Sequence, residues 1–115
     1  MGLVRSFAFA FAGLAHLIRT QRNFRIELGA GLLVVVAGLW FGLERVEWLA
    51  IALTIALVLI LEAVNTAIEN AVTLASPAFN ERARAAKDVS AAAVVIAALA
   101  SIVVGVLVFG SRLVR

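Results

Sequence analysis

Two carboxylates and an amide stand where a membrane segment should hold none. Residues Trp48 to Leu74 read WLAIALTIALVLILEAVNTAIENAVTL, an apolar run interrupted by Glu62, Asn65 and Glu69. A carboxylate in hydrocarbon costs about 3 kcal/mol or more unless it faces protein, water or a cation. The spacing i, i+3, i+7 puts the three side chains on one stripe of a helix. The opposite face is Leu, Ile, Val and Ala, fit for lipid. Downstream stand Lys87 and Asp88. Two acids, an amide, an ammonium and a third acid form a set suited to phosphoryl transfer. That chemistry needs a base for the attacking hydroxyl, a divalent cation on the phosphates, and positive charge to balance what develops. Carboxylates hold Mg²⁺ together with substrate phosphates. The same residues also suit a proton relay, or pairing between helices.

The elements that must position this set are helices in a bilayer. Of the 115 residues, 64% are hydrophobic and 15% charged. Soluble domains carry roughly 25% charged residues, so the chain is expected to be an all-α integral membrane protein of one domain, 1–115. Without cysteine, disulfides, thiolate metal sites and cysteine nucleophiles are excluded. The net charge of +3 suits anionic lipid or a phosphate-bearing substrate. The basic residues are scattered, which argues against nucleic acid.

Three spans are expected: 24–43, 48–74 and 81–111, the last uncharged from Val89 to Ser111. The first uncharged run, Leu28 to Leu43, is short of roughly 20 residues. Extending it back toward Asn23 places Arg22, Arg25 and Glu27 at the interface. Trp40 and Trp48 flank the Glu44–Glu47 link as an aromatic belt. Ser76-Pro77 reads as an N-cap followed by proline at a first helical position. Arg5, Arg19, Arg22, Arg25, Arg82, Arg84 and Lys87 fall on one side of this arrangement. Arg45, Arg112 and Arg115 fall on the other. The majority side is expected to be cytoplasmic, with the C-terminal arginines running against the trend.

Residues 3–20 form a different object. Leu3, Phe7, Phe11, Leu14 and Ile18 share one helical face, and Arg5, His16 and Arg19 share the other. An amphipathic surface helix is expected. The rival reading, a signal peptide, suffers from His16 and Arg19 inside its apolar core. Phe9 projects onto the polar face between Arg5 and His16, either as a stray aromatic or as a stacking surface for a planar ligand. The acylation pattern at Met1-Gly2, the GxxxG at Gly38–Gly42 and the lone His16 read as coincidence, close helix packing and a solvated side chain. Nucleotide-loop and hydrolase motifs are missing from the sequence.

The run Glu62-Ala63-Val64-Asn65-Thr66-Ala67-Ile68-Glu69-Asn70-Ala71-Val72, with Ala86-Lys87-Asp88 downstream, closely resembles the prokaryotic diacylglycerol kinase family, which includes undecaprenol kinases. Ser6-Phe7, Ala10-Phe11, Gly13-Leu14 and Asn23-Phe24-Arg25-Ile26 agree, so the resemblance covers essentially the whole chain. It implies a homotrimer of three-span subunits, each with a surface helix, sharing active sites between neighbours. It implies transfer of the γ-phosphate of ATP to a lipid alcohol on the cytoplasmic face of a bacterial inner membrane, diacylglycerol first and undecaprenol as the alternative acceptor. By that resemblance Glu62 is the base and contacts the lipid hydroxyl. Asn65 orders the site, and Glu69 binds the Mg²⁺ on the ATP phosphates. Lys87 and Asp88 contact the nucleotide, and Arg25 sits near the lipid entrance.

Three positions depart from the family's pattern. Gln21 stands where a second metal-binding glutamate is frequent, so weaker metal binding is expected. Thr73 stands where an aspartate is frequent. Phe9 replaces a tyrosine near the nucleotide, keeping the ring and losing the hydroxyl. These departures also admit a divergent or inactive member. A small transporter and a non-catalytic scaffold remain as readings from other classes.

Overall fold

A computed structural model describes residues 2–114. Met1 of the acylation pattern and Arg115 of the charge count lie outside the described residues. Four helices follow in order: α1 (Leu3–Thr20), α2 (Arg22–Phe41), α3 (Arg45–Ala75) and α4 (Glu81–Leu113). All four are long and apolar enough to cross a membrane, α1 included. The exterior is correspondingly apolar: Leu33, Trp40, Leu74, Val89 and Leu107 are among many large exposed hydrophobics.

The helices α3 and α4 make the principal contact and run antiparallel. Glu47 pairs with Arg112, Asn65 with Ser90, and Thr73 with Lys87, so numbers rise on one helix as they fall on the other. Helix α2 packs on α3, and α1 touches the bundle lightly, with no buried residue of its own. Arg25 joins α1 to α2. Its Nη1 donates to the carbonyls of Ile18 at 2.8 Å and Arg19 at 3.2 Å, supplying partners to acceptors that a helix end leaves open.

The best-packed region surrounds the α2–α3 turn. Leu43, Ile51 and Val108 are buried there, with Trp48, Val34 and Phe109 against them. Gly38 and Gly42, the two ends of the GxxxG, have separate jobs within this turn. A Cβ at Gly38 would stand 2.7 Å from Cη2 of Trp48 and 2.9 Å from Cδ1 of Leu43, so only a bare backbone fits under the indole. Gly42 caps α2 with φ 68°, a left-handed conformation that glycine adopts freely. Glu44 and Glu47 then start α3 with a reciprocal capping box. Arg112 closes the corner, bonding both oxygens of Glu47 and the carbonyl of Phe41.

The α3–α4 loop differs from the sequence expectation. Ser76 ends α3 instead of capping α4, and Asn80 is the N-cap. The Asn80 side chain accepts from the backbone N–H of Arg82 at 2.8 Å and Ala83 at 3.2 Å. One acceptor satisfying two open donors outcompetes the Ser-Pro signature, and Pro77 falls in the loop.

Candidate active site

The polar stripe of α3 meets α4 near the α3–α4 loop. Glu62 is the deepest member, 3% exposed, and its Oε2 is buried without a hydrogen-bond partner. A buried polar oxygen left unpaired costs stability. Such an atom in a folded protein calls for an explanation: strain, a role in chemistry, or a water or ion as partner. Thr66, also buried, turns its hydroxyl back to the Glu62 carbonyl at 3.1 Å and so spends no donor on the carboxylate.

One helical turn on, Asn65 connects two helices. Its Nδ2 donates to Glu69 Oε1 at 3.1 Å, and its Oδ1 accepts from Ser90 Oγ at 2.7 Å. The i, i+4 spacing on α3 sets the first bond, and the antiparallel register of α4 sets the second. Ser90 is 8% exposed among alanines, so this bond fixes the amide's orientation from a rigid neighbour. Glu69 is exposed and presents its second oxygen outward, free of hydrogen bonds among the described residues.

Lys87 and Asp88 sit at the start of α4. Lys87 Nζ donates to Thr73 Oγ1 at 2.8 Å across to the last turn of α3. Asp88 pairs at 3.8 Å with Arg84, one turn earlier, and both are exposed. The polar set is thus one network from Glu69 through Asn65 to Ser90, with Glu62 beneath it and Lys87 beside it.

Other predicted site residues stand apart. Gln21 separates α1 from α2, and its Nε2 donates to Thr20 Oγ1 at 3.2 Å. Phe9 is 61% exposed on α1. Arg25 is engaged at the α1–α2 joint. Among the described residues no hydrogen bond or ion pair links any of these three to the polar set on α3 and α4.

Most of the chain matches a known pattern. A model of prokaryotic diacylglycerol kinase fits residues 8–109. The chain belongs to the prokaryotic diacylglycerol kinase family. It is similar to a diacylglycerol kinase of Synechocystis sp., 43% identical over 104 residues. That match covers 90% of this chain and 59% of the relative, so the chain spans well under two thirds of that relative's length. An undecaprenol kinase of Bacillus subtilis is 38% identical over 95% of this chain and 89% of its own. A diacylglycerol kinase of Escherichia coli K12 is 29% identical over 88% of this chain and 83% of its own.

Three residues of this diacylglycerol kinase family member escaped sequence reasoning as parts of the site. Ser90 carried one signal, a hydroxyl three residues after Lys87 at the head of an alanine-rich span. Thr73 entered only as a departure from a pattern, yet it holds Lys87. Glu27, expected at the interface, turns inward. Its Oε2 is buried and unpartnered, and it lines a cleft with Gly31, Thr54, Ile55 and Ser101. Glu27 and Glu62 lie near enough to repel one another. Nothing in the local sequence around Glu27 distinguishes an inward carboxylate from one at the interface.

Proposed function

We propose that the chain is an ATP- and Mg²⁺-dependent lipid kinase that phosphorylates diacylglycerol, giving phosphatidic acid. The observation that carries this reading is Glu62: a buried carboxylate with one oxygen unpartnered, next to an ordered amide–carboxylate network. A base must reach the proton that it removes, and a carboxylate oxygen already saturated with donors would be a poor one.

In this mechanism the hydroxyl of the lipid approaches Glu62 and gives up its proton to the carboxylate. The hydroxyl oxygen forms a bond to the γ-phosphorus as the bond from that phosphorus to the ADP oxygen breaks. Lys87 balances charge on the phosphates. Asn65, held by Ser90, keeps Glu69 directed at the nucleotide side. No group of three or more His, Asp or Glu side chains that could hold a metal converges among the described residues. A Mg²⁺ carried on phosphates needs one or two carboxylates, and exposed Glu69 fits that need, with Gln21 as an uncharged second donor. Bound there, the ion would neutralise phosphate charge.

The membrane arrangement follows from length. Counting about 20 residues from Trp48 reaches Ile68, and the same count back from Ser111 reaches Ala91. Glu62 then lies just inside the hydrocarbon, where a lipid hydroxyl resides, and Glu69, Lys87 and Asp88 lie beyond it, where ATP resides. In this reading α2, α3 and α4 are the three spans, and α1 lies on the surface, since it buries no residue. The basic residues around the loop end support a cytoplasmic side for it, and the reading assigns the protein to a bacterial inner membrane. Arg112 runs against that charge rule but is paired with Glu47, which removes it from the count of free charges. A trimer that shares its sites would bring Gln21 and Phe9 of one subunit to the polar set of another.

Undecaprenol is the second acceptor to test, because the undecaprenol kinase of Bacillus subtilis matches this chain almost end to end. The test is phosphate transfer from labelled ATP to diacylglycerol and undecaprenol offered separately in mixed micelles, with and without Mg²⁺. Mg²⁺-dependent transfer to diacylglycerol is expected. Transfer to undecaprenol alone would replace the acceptor. No transfer to either from a folded oligomer would overturn the kinase reading.

A further inference from the structure

Lys87 is held in an unusual way for a charged side chain that is half buried. Its ammonium donates to the hydroxyl of Thr73 at 2.8 Å, across the α3–α4 contact. Among the described residues it has no carboxylate within ion-pair distance. The nearby acids are engaged elsewhere: Asp88 pairs with Arg84, and Glu69 accepts from Asn65. A hydroxyl satisfies one of the ammonium's three donors and leaves its charge whole. A carboxylate in the same place would answer both the donor and the charge.

The setting reinforces this. Thr73 lies in the last turn of α3, whose terminal carbonyls carry partial negative charge and favour a cation close by. The lysine stem is otherwise flexible, and holding it in one rotamer has an entropic cost. Thr73 is exposed, but it is β-branched and restricted at χ1, so its hydroxyl is offered in few directions. The result is an ammonium fixed in direction and undiminished in charge, at the end of the bundle where Glu69 faces outward.

We propose that Thr73 is a positioning residue for nucleotide binding: its uncharged hydroxyl aims the Lys87 ammonium at the phosphates of ATP without neutralising it. This rests on the reading of Lys87 as a nucleotide contact. It assigns a use to a position that stood out only as a departure from the family's usual aspartate.

The test uses the full-length protein in mixed micelles, with Thr73→Val, Thr73→Ser, Lys87→Ala and the Thr73→Val/Lys87→Ala double variant. Valine keeps the shape of threonine and removes the acceptor. Thr73→Val is expected to raise KM for ATP and the Kd of a fluorescent ATP analogue by roughly three- to tenfold, the span of one net hydrogen bond. KM for the lipid should not move. Thr73→Ser should restore wild-type values. In the Lys87→Ala background Thr73→Val should add nothing, because the two residues act as one unit. Thr73→Val leaving ATP affinity unchanged while Lys87→Ala weakens it would overturn this proposal alone. Lys87→Ala leaving ATP affinity unchanged would overturn the nucleotide reading of Lys87 and the proposal with it. A parallel loss of lipid and ATP affinity in Thr73→Val would reassign Thr73 to general packing.

Discussion

The two ends of the α3–α4 pair are built to opposite rules. At the α2–α3 turn the polar groups interlock: Glu47 serves the backbone of Glu44 and the guanidinium of Arg112, which also reaches the Phe41 carbonyl. Trp48 and Leu43 pack against Gly38 with no room for one more carbon. At the other end Glu62 and Glu27 keep buried oxygens unpaired, and Glu69 is exposed. Stability is concentrated where the chain turns back on itself. Among the described residues the buried side-chain oxygens without a partner belong to Glu27 and Glu62, away from that turn. Buried polar groups without partners are rare in folded proteins, which is why this end carries the proposed site.

Substitutions at each end should therefore move different quantities. The largest expected effect is Glu62→Gln, which removes the proposed base. A fall in kcat of about a hundred- to ten-thousandfold is expected in the labelled-ATP transfer assay, the usual range for a general base. Next is Gly38→Ala at the packed end, where the new methyl collides with Trp48 and Leu43. It should destabilise by about 1 to 3 kcal/mol in thermal or denaturant unfolding, as overpacking does, and leave the kcat of folded protein unchanged. Ser90→Ala leaves the Asn65 oxygen without its donor. Roughly a tenfold loss of kcat is expected, with about 1 kcal/mol of stability lost in unfolding, since a hydrogen bond inside the network is lost. Asn80→Ala, at the loop but outside the network, should cost about 1 kcal/mol of stability through its cap and change kcat little.

The same contrast explains what the sequence disclosed. Long apolar runs declare helices one residue at a time, so the all-helical architecture was legible from hydropathy alone. The Glu62, Asn65, Glu69 stripe was legible because three polar residues in an apolar helix share one face. Contacts that depend on the register between helices were not. Ser90 reaches Asn65 from 25 positions away, and Arg112 reaches Glu47 from 65. No local periodicity encodes those offsets; they arise when two antiparallel helices settle against each other. The Ser76-Pro77 dipeptide carried a genuine capping signature, but Asn80 offered a better-placed oxygen. Glu27 sat beside Arg25 in a run that reads as interface, and only the packing of α2 on α3 turns it inward.

The most direct test measures transfer rate and unfolding midpoint on the same preparations of Glu62→Gln and Gly38→Ala. The account predicts opposite patterns. Glu62→Gln loses transfer and keeps its midpoint, since glutamine matches the size of glutamate and removes no hydrogen bond of the Glu62 Oε2 atom. Gly38→Ala lowers the midpoint and keeps its rate where folded. A fall of midpoint and rate together in Glu62→Gln would contradict the account, because it would make Glu62 a structural residue and leave the end of the bundle without a base.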